Sequence, residues 1–172
     1  SLTIHHAGIF SLMGKVYTQS LLAEQRKLWK DQGLTVVFTN GVFDILHRGH
    51  IEYLTQARAL GGRLIVGMNS DASVKRIKGE LRPIVQQEDR AFILSQLVCV
   101  DAVSLFDEDT PYNIISLLLP DNLVKGTDYS LDAIVGKDVV EHAGGKVQTI
   151  EFVPDRSTSN IVDTIVSRFG KK

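Results

Sequence analysis

The chain has 172 residues, of which 44% are hydrophobic and 23% are charged, and its formal net charge is −1 at pH 7. This length and composition predict one globular domain with its own core, and argue against a disordered or fibrous protein. The near-zero charge offers no broad positive surface to a nucleic-acid backbone, so we expect small anionic ligands and no nucleic acid.

The remaining global features predict a cytoplasmic protein without a membrane partner. No stretch approaches the roughly 20 apolar residues that span a bilayer, and the first residues lack the basic start and apolar run of an export signal. Cys99 is the only cysteine, which excludes an internal disulfide and suits a reducing compartment. Residues 1–16 show no periodicity and are expected to form a loose arm, with one domain over residues 17–172.

From the amino end onward, short β-branched runs alternate with amphipathic segments, a pattern typical of parallel strands joined by helical crossovers. The predicted strands cover residues 35–39, 64–68, 102–106, 122–125 and 146–152. The predicted helices cover residues 18–31, a segment from 48 to about 60, a short segment from 71, and 86–98, 110–118, 137–142 and 159–169. We therefore expect an α/β fold, a Rossmann-like doubly wound five-stranded parallel sheet with flanking helices, whose ligands bind at the carboxyl ends of the strands.

Two local signals support the later helices. Thr110 followed by Pro111 predicts an N-cap and a first-turn proline. The last helix repeats apolar residues at helical spacing, namely Ile161, Val162, Ile165, Val166 and Phe169, which predicts one apolar face.

The most informative stretch is Thr39–His50, T-N-G-V-F-D-I-L-H-R-G-H, which joins the first strand to the second helix. Unpaired backbone N–H groups and the helix dipole favour phosphate at such a junction. Gly41 allows a close backbone turn, and Gly49 leaves space beside the helix for a phosphate. The stretch lacks both the G-x-G-x-x-G and the lysine-bearing P-loop patterns, which argues against hydride transfer and against a kinase.

His47 and His50 are three residues apart, so both rings can project to the same side of the first helical turn. Each ring can donate a hydrogen bond to phosphoryl oxygens, and two such donors beside a helix N-terminus suit a triphosphate. The alternative is that the rings only cap the helix and pack against the strand. A zinc pair would need further ligands at suitable spacing, and we expect no metal-ligating residues.

With these residues, the chain resembles the cytidylyltransferase-like family, whose hallmark is H-x-G-H after the first strand. Further blocks support the resemblance, and they read N-S-D-A-S-V-K-R-I-K-G-E-L-R-P-I, E-D-R, D-T-P, L-V-K-G-T-D-Y and S-T-S-N-I-V. Within the family, the blocks are similar to those of enzymes that make ADP-heptose from D-glycero-β-D-manno-heptose 1-phosphate. The resemblance implies a stand-alone adenylyltransferase of lipopolysaccharide biosynthesis that uses ATP with Mg²⁺, releases pyrophosphate, and forms a homodimer.

The resemblance also implies roles for particular side chains. His47, His50 and Lys78 are predicted to be catalytic, and Lys78 belongs to a charge-rich loop, 75–82, that is expected to close over the reactants. The residues predicted to bind the nucleotide are Thr39, Asn40, Gly41, Val42, Phe43, Gly49, Lys125, Gly126, Asp128, Ser157, Thr158 and Ser159. The residues predicted to bind the substrate phosphate are Lys75, Arg82 and Arg90.

Structural alternatives stand beside several of these roles. Arg90 could instead form a salt bridge, Ser157–Ser159 could only cap the last helix, and Asp44 could order its loop or help to place magnesium. Relatives that use CTP carry an arginine and a glycine-isoleucine step before a final S-T-T, whereas this chain reads P-D-R-S-T-S over residues 154–159. The arginine's CTP-specific role therefore does not transfer directly to Arg156. The rival functions are a CTP-dependent cytidylyltransferase acting on glycerol 3-phosphate and a non-catalytic nucleotide-binding module.

Overall fold

The computed structural model describes residues 15–128, 130–152 and 156–170. The strands are β1 (Val36–Gly41), β2 (Arg63–Asn69), β3 (Ala102–Phe106), β4 (Asn122–Gly126) and β5 (Lys146–Ile150). The helices are α1 (Gln19–Asp31), α2 (Arg48–Arg58), α3 (Asp71–Lys78), α4 (Gln87–Ser95), α5 (Tyr112–Leu118), α6 (Lys137–His142) and α7 (Thr158–Phe169). All five strands are parallel, in the order β3-β2-β1-β4-β5, so the predicted Rossmann-like α/β fold is confirmed.

Both faces of the sheet are buried. Successive side chains of each strand point to opposite faces, and each face packs into its own core. In β1, Val37 packs with Leu54 of α2 in the core on one face. Its neighbours Val36 and Phe38 pack with Ile115 of α5 in the core on the other face. All five side chains are fully buried, and this two-sided burial explains the almost uninterrupted apolar runs in the strands.

A crevice opens where the strand order reverses. β1 pairs with β2 at six positions but with β4 only at Val37↔Asn122 and Phe38↔Leu123. Beyond Phe38 and Leu123 the two central strands therefore separate toward their carboxyl ends. In open α/β sheets, ligands bind at such a point.

The charge-rich segment after β2 differs from its predicted form. Ser70 caps α3 by accepting a hydrogen bond from the Ser73 N–H, and the helix continues to Lys78 before Gly79 ends it at φ +103°. The prediction of a loop over residues 75–82 is therefore wrong for residues 75–78. Lysine and arginine are good helix formers and are favoured in a last turn by the helix dipole, so the basic composition was compatible with helix.

The end of β5, the start of α5 and the burial of α7 also differ from the predictions. β5 ends at Ile150 and leaves Phe152 outside the strand, while Pro111, not Thr110, occupies the N-cap position of α5. The apolar face of α7 is only partly covered, since Ile161 and Val162 are half-buried, none of its twelve residues is fully buried, and Phe169 is 81% exposed. The periodicity correctly predicted a helix there but not its burial.

Part of the predicted amino-terminal arm, residues 1–14, lies outside the described residues, as do Pro154 and Asp155 of the block before α7. Val16 forms a parallel bridge with Val103 at the β3 edge, where the Val103 N–H donates to the Lys15 carbonyl. Among the helices that the structure describes, none is both long and apolar enough to cross a membrane.

Candidate active site

The crevice between β1 and β4 forms a cavity of about 550 Å³. Its walls come from the loop after β1, the start of α2, the end of α3, the loop after β3, the end of β4 and the start of α7. Of the predicted site residues, the following line it: Asn40, Gly41, Val42, Phe43, His50, Lys78, Arg82, Lys125, Gly126, Asp128, Thr158 and Ser159. The fold thus brings together residues from four separate blocks of sequence.

The two histidines of the H-x-G-H motif stack on each other, with ring centroids 3.9 Å apart and planes 28° from parallel. Each ring also caps the start of α2. The Gly49 N–H donates to His47 Nδ1 at 3.1 Å, and the His47 N–H donates to His50 Nδ1 at 3.4 Å. Both histidines therefore do cap the helix, as the alternative predicted. Capping uses only their Nδ1 atoms.

This capping determines which nitrogen carries the proton. An Nδ1 that accepts a backbone N–H is unprotonated, so the neutral ring carries its proton on Nε2. Burial, and then the charge of His47, lowers the pKa of His50 to about 4, while burial followed by Arg156 lowers the pKa of His47. Both imidazoles are consequently neutral Nε2–H donors at physiological pH.

His50 borders the 550 Å³ cavity, whereas His47 borders a second cavity of about 280 Å³ together with Arg156 and Ser157. Gly49 explains how the rings fit. A Cβ at Gly49 would lie 2.9 Å from His47 Cε1 and 2.9 Å from the Arg156 Cβ. The space predicted for a phosphate beside Gly49 is thus occupied by the His47 ring and Arg156.

The loop after β1 is held in a strained conformation. Phe43 has φ +51°, in the left-handed region, although it is not a glycine. That conformation costs about 1 kcal/mol, and it is compensated by burial of the ring, which is only 6% exposed and lies 5.5 Å from the His50 ring. Gly41 is required here, because a Cβ at this position would lie 2.9 Å from the Phe43 ring.

The four basic residues predicted near the reactants have different environments. Lys78 and Arg82 line the cavity, but Lys75 does not. Arg82 also pairs with Asp44 at 2.7 Å. Lys78 thus remains a candidate phosphate ligand, while Lys75 is too far back on α3 to border the cavity.

The prediction that Arg90 binds the substrate phosphate is not supported by its geometry. Its side chain is fully buried and pairs with Asp71 at 2.7 Å. Its other N–H groups donate to the carbonyls of Val42, Asn69 and Val85. With its donors engaged and no access to the cavity, Arg90 has the structural role that was the alternative.

Thr39 is likewise turned away from the cavity. It is fully buried, and its hydroxyl lies 2.8 Å from the Tyr53 hydroxyl. Alternation along β1 places Asn40 in the cavity and Thr39 in the core. The Thr39 side chain is therefore part of the support beneath the site.

Asp44 is an ordering group for the loop. It accepts hydrogen bonds from the backbone N–H groups of Ile84 and Val85 and from Arg82 Nε. Burial alone would raise the pKa of this carboxyl, but these donors together hold its pKa below the ordinary value. The carboxylate thus ties the loop after β1 to the segment before α4.

The part of the cavity wall that is formed by the end of β4 and by Phe152 combines a lysine with aromatic rings. We call it the far end of the cavity. Burial lowers the pKa of Lys125 to about 8, although the nearby Asp128 carboxylate opposes this shift. Phe152 stacks on Tyr53 with ring centroids 5.1 Å apart. This end therefore offers a cation, a carboxylate and an aromatic surface.

The start of α7 contributes hydroxyls to both cavities. Ser157 caps the helix by accepting a hydrogen bond from the Asn160 N–H, and the Thr158 hydroxyl donates to the Ile45 carbonyl at 3.2 Å. Thr158 and Ser159 line the larger cavity, and Ser157 the smaller. Capping and ligand binding are compatible here.

Sequence reasoning gave no site role to several cavity-lining residues: Tyr53, Asn69, Ile77, Asp109, Thr110, Pro111, Val135 and Phe152. Asn69 ends β2, and Asp109 and Phe152 follow β3 and β5, so position after a strand was a usable signal for them. Tyr53, Ile77 and Val135 reach the cavity only through tertiary packing. Within residues 15–128, 130–152 and 156–170, no three or more His, Cys, Asp or Glu side chains gather as a metal site.

Comparison with known proteins gives one consistent result. The model of the family described as Cytidylyltransferase-like matches residues 38–166. The chain is 52% identical over 158 residues to the bifunctional protein HldE of Geobacter sulfurreducens, covering 92% of this chain and 32% of that one. It is also 52% identical over 151 residues to HldE of Wolinella succinogenes, covering 88% and 31%.

The chain therefore spans about a third of the length of the curated relatives that it matches. Among solved structures, it is similar to the lipopolysaccharide core biosynthesis protein of Thermoplasma volcanium. The TM-score is 0.58 at 31% sequence identity, covering 70% of this chain and 98% of that chain.

Proposed function

Because the chain is a nucleotidyltransferase that belongs to the cytidylyltransferase-like family, we propose that it transfers AMP from ATP to a sugar 1-phosphate, D-glycero-β-D-manno-heptose 1-phosphate, giving ADP-heptose and pyrophosphate. The observation that carries the proposal is the stacked imidazole pair at the start of α2. Its Nδ1 atoms are used by the helix, so the Nε2–H donors are left for a ligand. The HldE relatives support a heptose phosphate acceptor, and similarity to a lipopolysaccharide core biosynthesis protein supports a role in making that glycan.

In the proposed reaction, an oxygen of the sugar phosphate attacks the α-phosphorus of ATP in line. The new P–O bond forms as the bond from the α-phosphorus to the bridging oxygen breaks, and pyrophosphate leaves with that oxygen and its electron pair. A phosphate monoester has its second pKa near 6, so the nucleophile is already ionised at neutral pH and needs no general base. The task of the protein is then positioning and charge neutralisation.

We assign the charge neutralisation to groups that line the 550 Å³ cavity, together with His47, which lines the smaller cavity and stacks on His50. His47 and His50 donate from Nε2 to phosphoryl oxygens, and an anion beside them raises the pKa of both rings above the ligand-free values. Lys78, at the end of α3, and Arg82 line the same cavity as His50 and would add positive charge for the phosphates. These donors stabilise the charge that develops on the leaving pyrophosphate.

Mg²⁺ fits this scheme as a partner of the phosphates. Magnesium is typically held by substrate phosphates and one or two carboxylates, not by a cage of protein ligands. The nearest acid on the motif loop, Asp44, is already engaged by three donors, so we expect the ion to arrive with the nucleotide. When bound, it would neutralise phosphate charge.

The alternative substrate pair, CTP with glycerol 3-phosphate, has less support. Arg156 borders the smaller cavity beside His47 and not the far end of the larger one, so a role in reading cytosine is not favoured. The deciding experiment measures pyrophosphate release with ATP or CTP against heptose 1-phosphate or glycerol 3-phosphate. We expect release only with ATP and the heptose; release only with CTP and glycerol 3-phosphate would contradict the proposal.

A matched variant tests the imidazole assignment in the same assay. His50→Asn retains an oxygen near the Nδ1 position to cap α2 but lacks the Nε2–H donor. Loss of one such donor typically lowers turnover on the order of 10²-fold or more, with a much smaller effect on ATP binding. Turnover equal to that of the parent would remove His50 from the mechanism, and ATP binding without pyrophosphate release by the parent would favour a non-catalytic module.

A further inference from the structure

Phe152 presents a half-exposed aromatic ring to a cavity whose walls are otherwise rich in charged and polar groups. It follows β5, it is 47% exposed, and it lines the 550 Å³ cavity. A single exposed aromatic residue is ordinary on a protein surface. The reason to assign a role to this one lies in how the ring is held.

Two features hold the ring in one orientation. The first feature is stacking of Phe152 on Tyr53, with ring centroids 5.1 Å apart and planes 20° from parallel. Tyr53 is itself only 5% exposed, and its hydroxyl bridges the separating strands by contacting the Thr39 hydroxyl and donating to the Val124 carbonyl at 3.3 Å. The Phe152 ring therefore rests on a support that is anchored to both β1 and β4.

The second feature is the glycine beneath the ring. A Cβ at Gly126 would lie 1.8 Å from Phe152 Cε2 and 2.3 Å from Cζ. The ring thus occupies the space that any other residue at this position would fill. A glycine at the end of β4 is needed for Phe152 to lie across the strand end.

The ring lies at a definite place relative to the imidazoles. Tyr53 comes three residues after His50 on α2, which corresponds to a rise of about 4.5 Å along the helix. The aromatic surface is therefore about one helical turn farther from the α2 N-terminus than His50. Lys125 and Asp128, a donor and an acceptor, lie at the same end of the cavity.

An anion site beside an apolar plane with polar groups at its edge matches a ligand that joins phosphates to a flat heteroaromatic ring. We propose that Phe152 is the stacking surface for the nucleotide base, oriented by Tyr53 and made accessible by Gly126. This inference rests on the proposed function in taking a nucleoside triphosphate as the ligand. Stacking is tolerant of base identity, so Phe152 contributes affinity while discrimination between bases belongs to groups at the ring's edge.

The test compares ATP with inorganic tripolyphosphate, which lacks a base, by calorimetric titration of the full chain with Mg²⁺. Phe152→Ala should raise the Kd of ATP about 10- to 100-fold, raise that of CTP by a similar factor, and leave that of tripolyphosphate unchanged. Phe152→Leu keeps an apolar side chain without a π-face and should behave like alanine. Phe152→Trp should retain ATP affinity, with indole fluorescence that ATP alters and tripolyphosphate does not; the only native tryptophan, Trp29, is buried.

A second variant tests the geometry. Gly126→Ala should displace the ring and weaken ATP binding as Phe152→Ala does, and adding it to Phe152→Ala should cause little further loss. Should Phe152→Ala fail to fold, the leucine and tryptophan variants carry the same comparison. Binding is measured without turnover, so absence of pyrophosphate release would count against the proposed function and not against the stacking surface.

Three outcomes would overturn the inference. Equal weakening of ATP and tripolyphosphate binding would indicate a purely structural ring. Full ATP affinity in Phe152→Leu would exclude stacking. A raised KM for the sugar phosphate with unchanged ATP binding would place the acceptor, not the base, on this ring.

Discussion

At the scale of single residues, the H-x-G-H histidines serve the helix and the ligand site with different atoms of the same ring. His47 and His50 accept backbone N–H groups at Nδ1, which directs their remaining donors outward. The sequence interpretation treated capping and phosphate binding as rivals. The geometry allows both, because an imidazole has two nitrogens with separate functions.

Burial of the His50 ring predicts how the stability of the chain depends on pH. The pKa of His50 falls from 6.5 to about 4 on folding, first through burial and then through the charge of His47. Between about pH 6.5 and 4 the unfolded chain therefore binds a proton that the folded chain does not, so the free energy of unfolding falls as the pH drops through this window. Above pH 6.5 this group contributes no pH dependence.

Urea denaturation of the ligand-free chain at pH 7 and pH 5 measures this effect. His50→Asn should lose less stability than the parent between these two pH values, and the exposed His142→Asn serves as the control for removing a histidine. An equal pH dependence in parent and His50→Asn would mean that His50 is not buried in its neutral form.

At the scale of elements, Arg90 determines how the loops of the site are held together. Its guanidinium connects the loop after β1 through Val42, the end of β2 through Asn69, and the start of α3 through Asp71. These are the segments that carry Phe43 and position Lys78. A residue can thus be necessary for a site without access to it.

Replacing this guanidinium gives a prediction about stability. Arg90→Met leaves three buried or partly buried carbonyls and a carboxylate without their donor, and we expect the free energy of unfolding to fall by about 3 kcal/mol. Arg48→Met removes an exposed helix ion pair, Arg48–Glu52, and should cost less than about 1 kcal/mol. Denaturant titration of both variants checks the difference. An Arg90→Met variant that is as stable as the parent, and has only a raised KM for the sugar phosphate, would restore the phosphate-binding role of Arg90.

At the scale of the whole molecule, the cavity lies where the sheet comes apart. β1 and β4 share register at only two positions, and the walls beyond them belong to segments far apart in the chain. A ligand that contacts the start of α2, the end of α3 and the end of β4 together would connect both halves of the sheet. Ligand binding should therefore raise the free energy of global unfolding, and not only order one loop.

Thermal unfolding tests this expectation. Mg²⁺ with ATP at 100 times its Kd should stabilise the chain by about 2.7 kcal/mol, which for a domain of this size corresponds to a rise in Tm of roughly 5 to 10 °C. Tripolyphosphate at the same multiple of its own Kd should give a similar rise. No shift with either ligand, at concentrations where titration shows binding, would mean that the unfolded chain binds equally well.

Local patterns in the sequence predicted the strands and most of the helices, and they put the candidate site at the first strand-to-helix junction. Alternating β-branched and amphipathic segments predicted the five parallel strands, and the Thr39–His50 stretch predicted an anion site at the first strand-to-helix junction. The strand prediction succeeds because strand burial depends on residues close together in the chain. Helix capping and the helix dipole are equally local, and on these the anion site rests, which stays a prediction. The helical extent of α3 was missed because basic residues are compatible with both a loop and a helix end.

Which side chains reach the cavity, in contrast, depends on long-range packing that local patterns do not reveal. Thr39 turned into the core, Arg90 became a buried connector, and Phe152 came to lie over Gly126 against Tyr53. Each outcome depends on partners dozens of residues away or on the opposite strand of the sheet. Residue type and spacing indicate what a side chain can bind, but its burial and partners decide what it does bind, and those are properties of the packed fold.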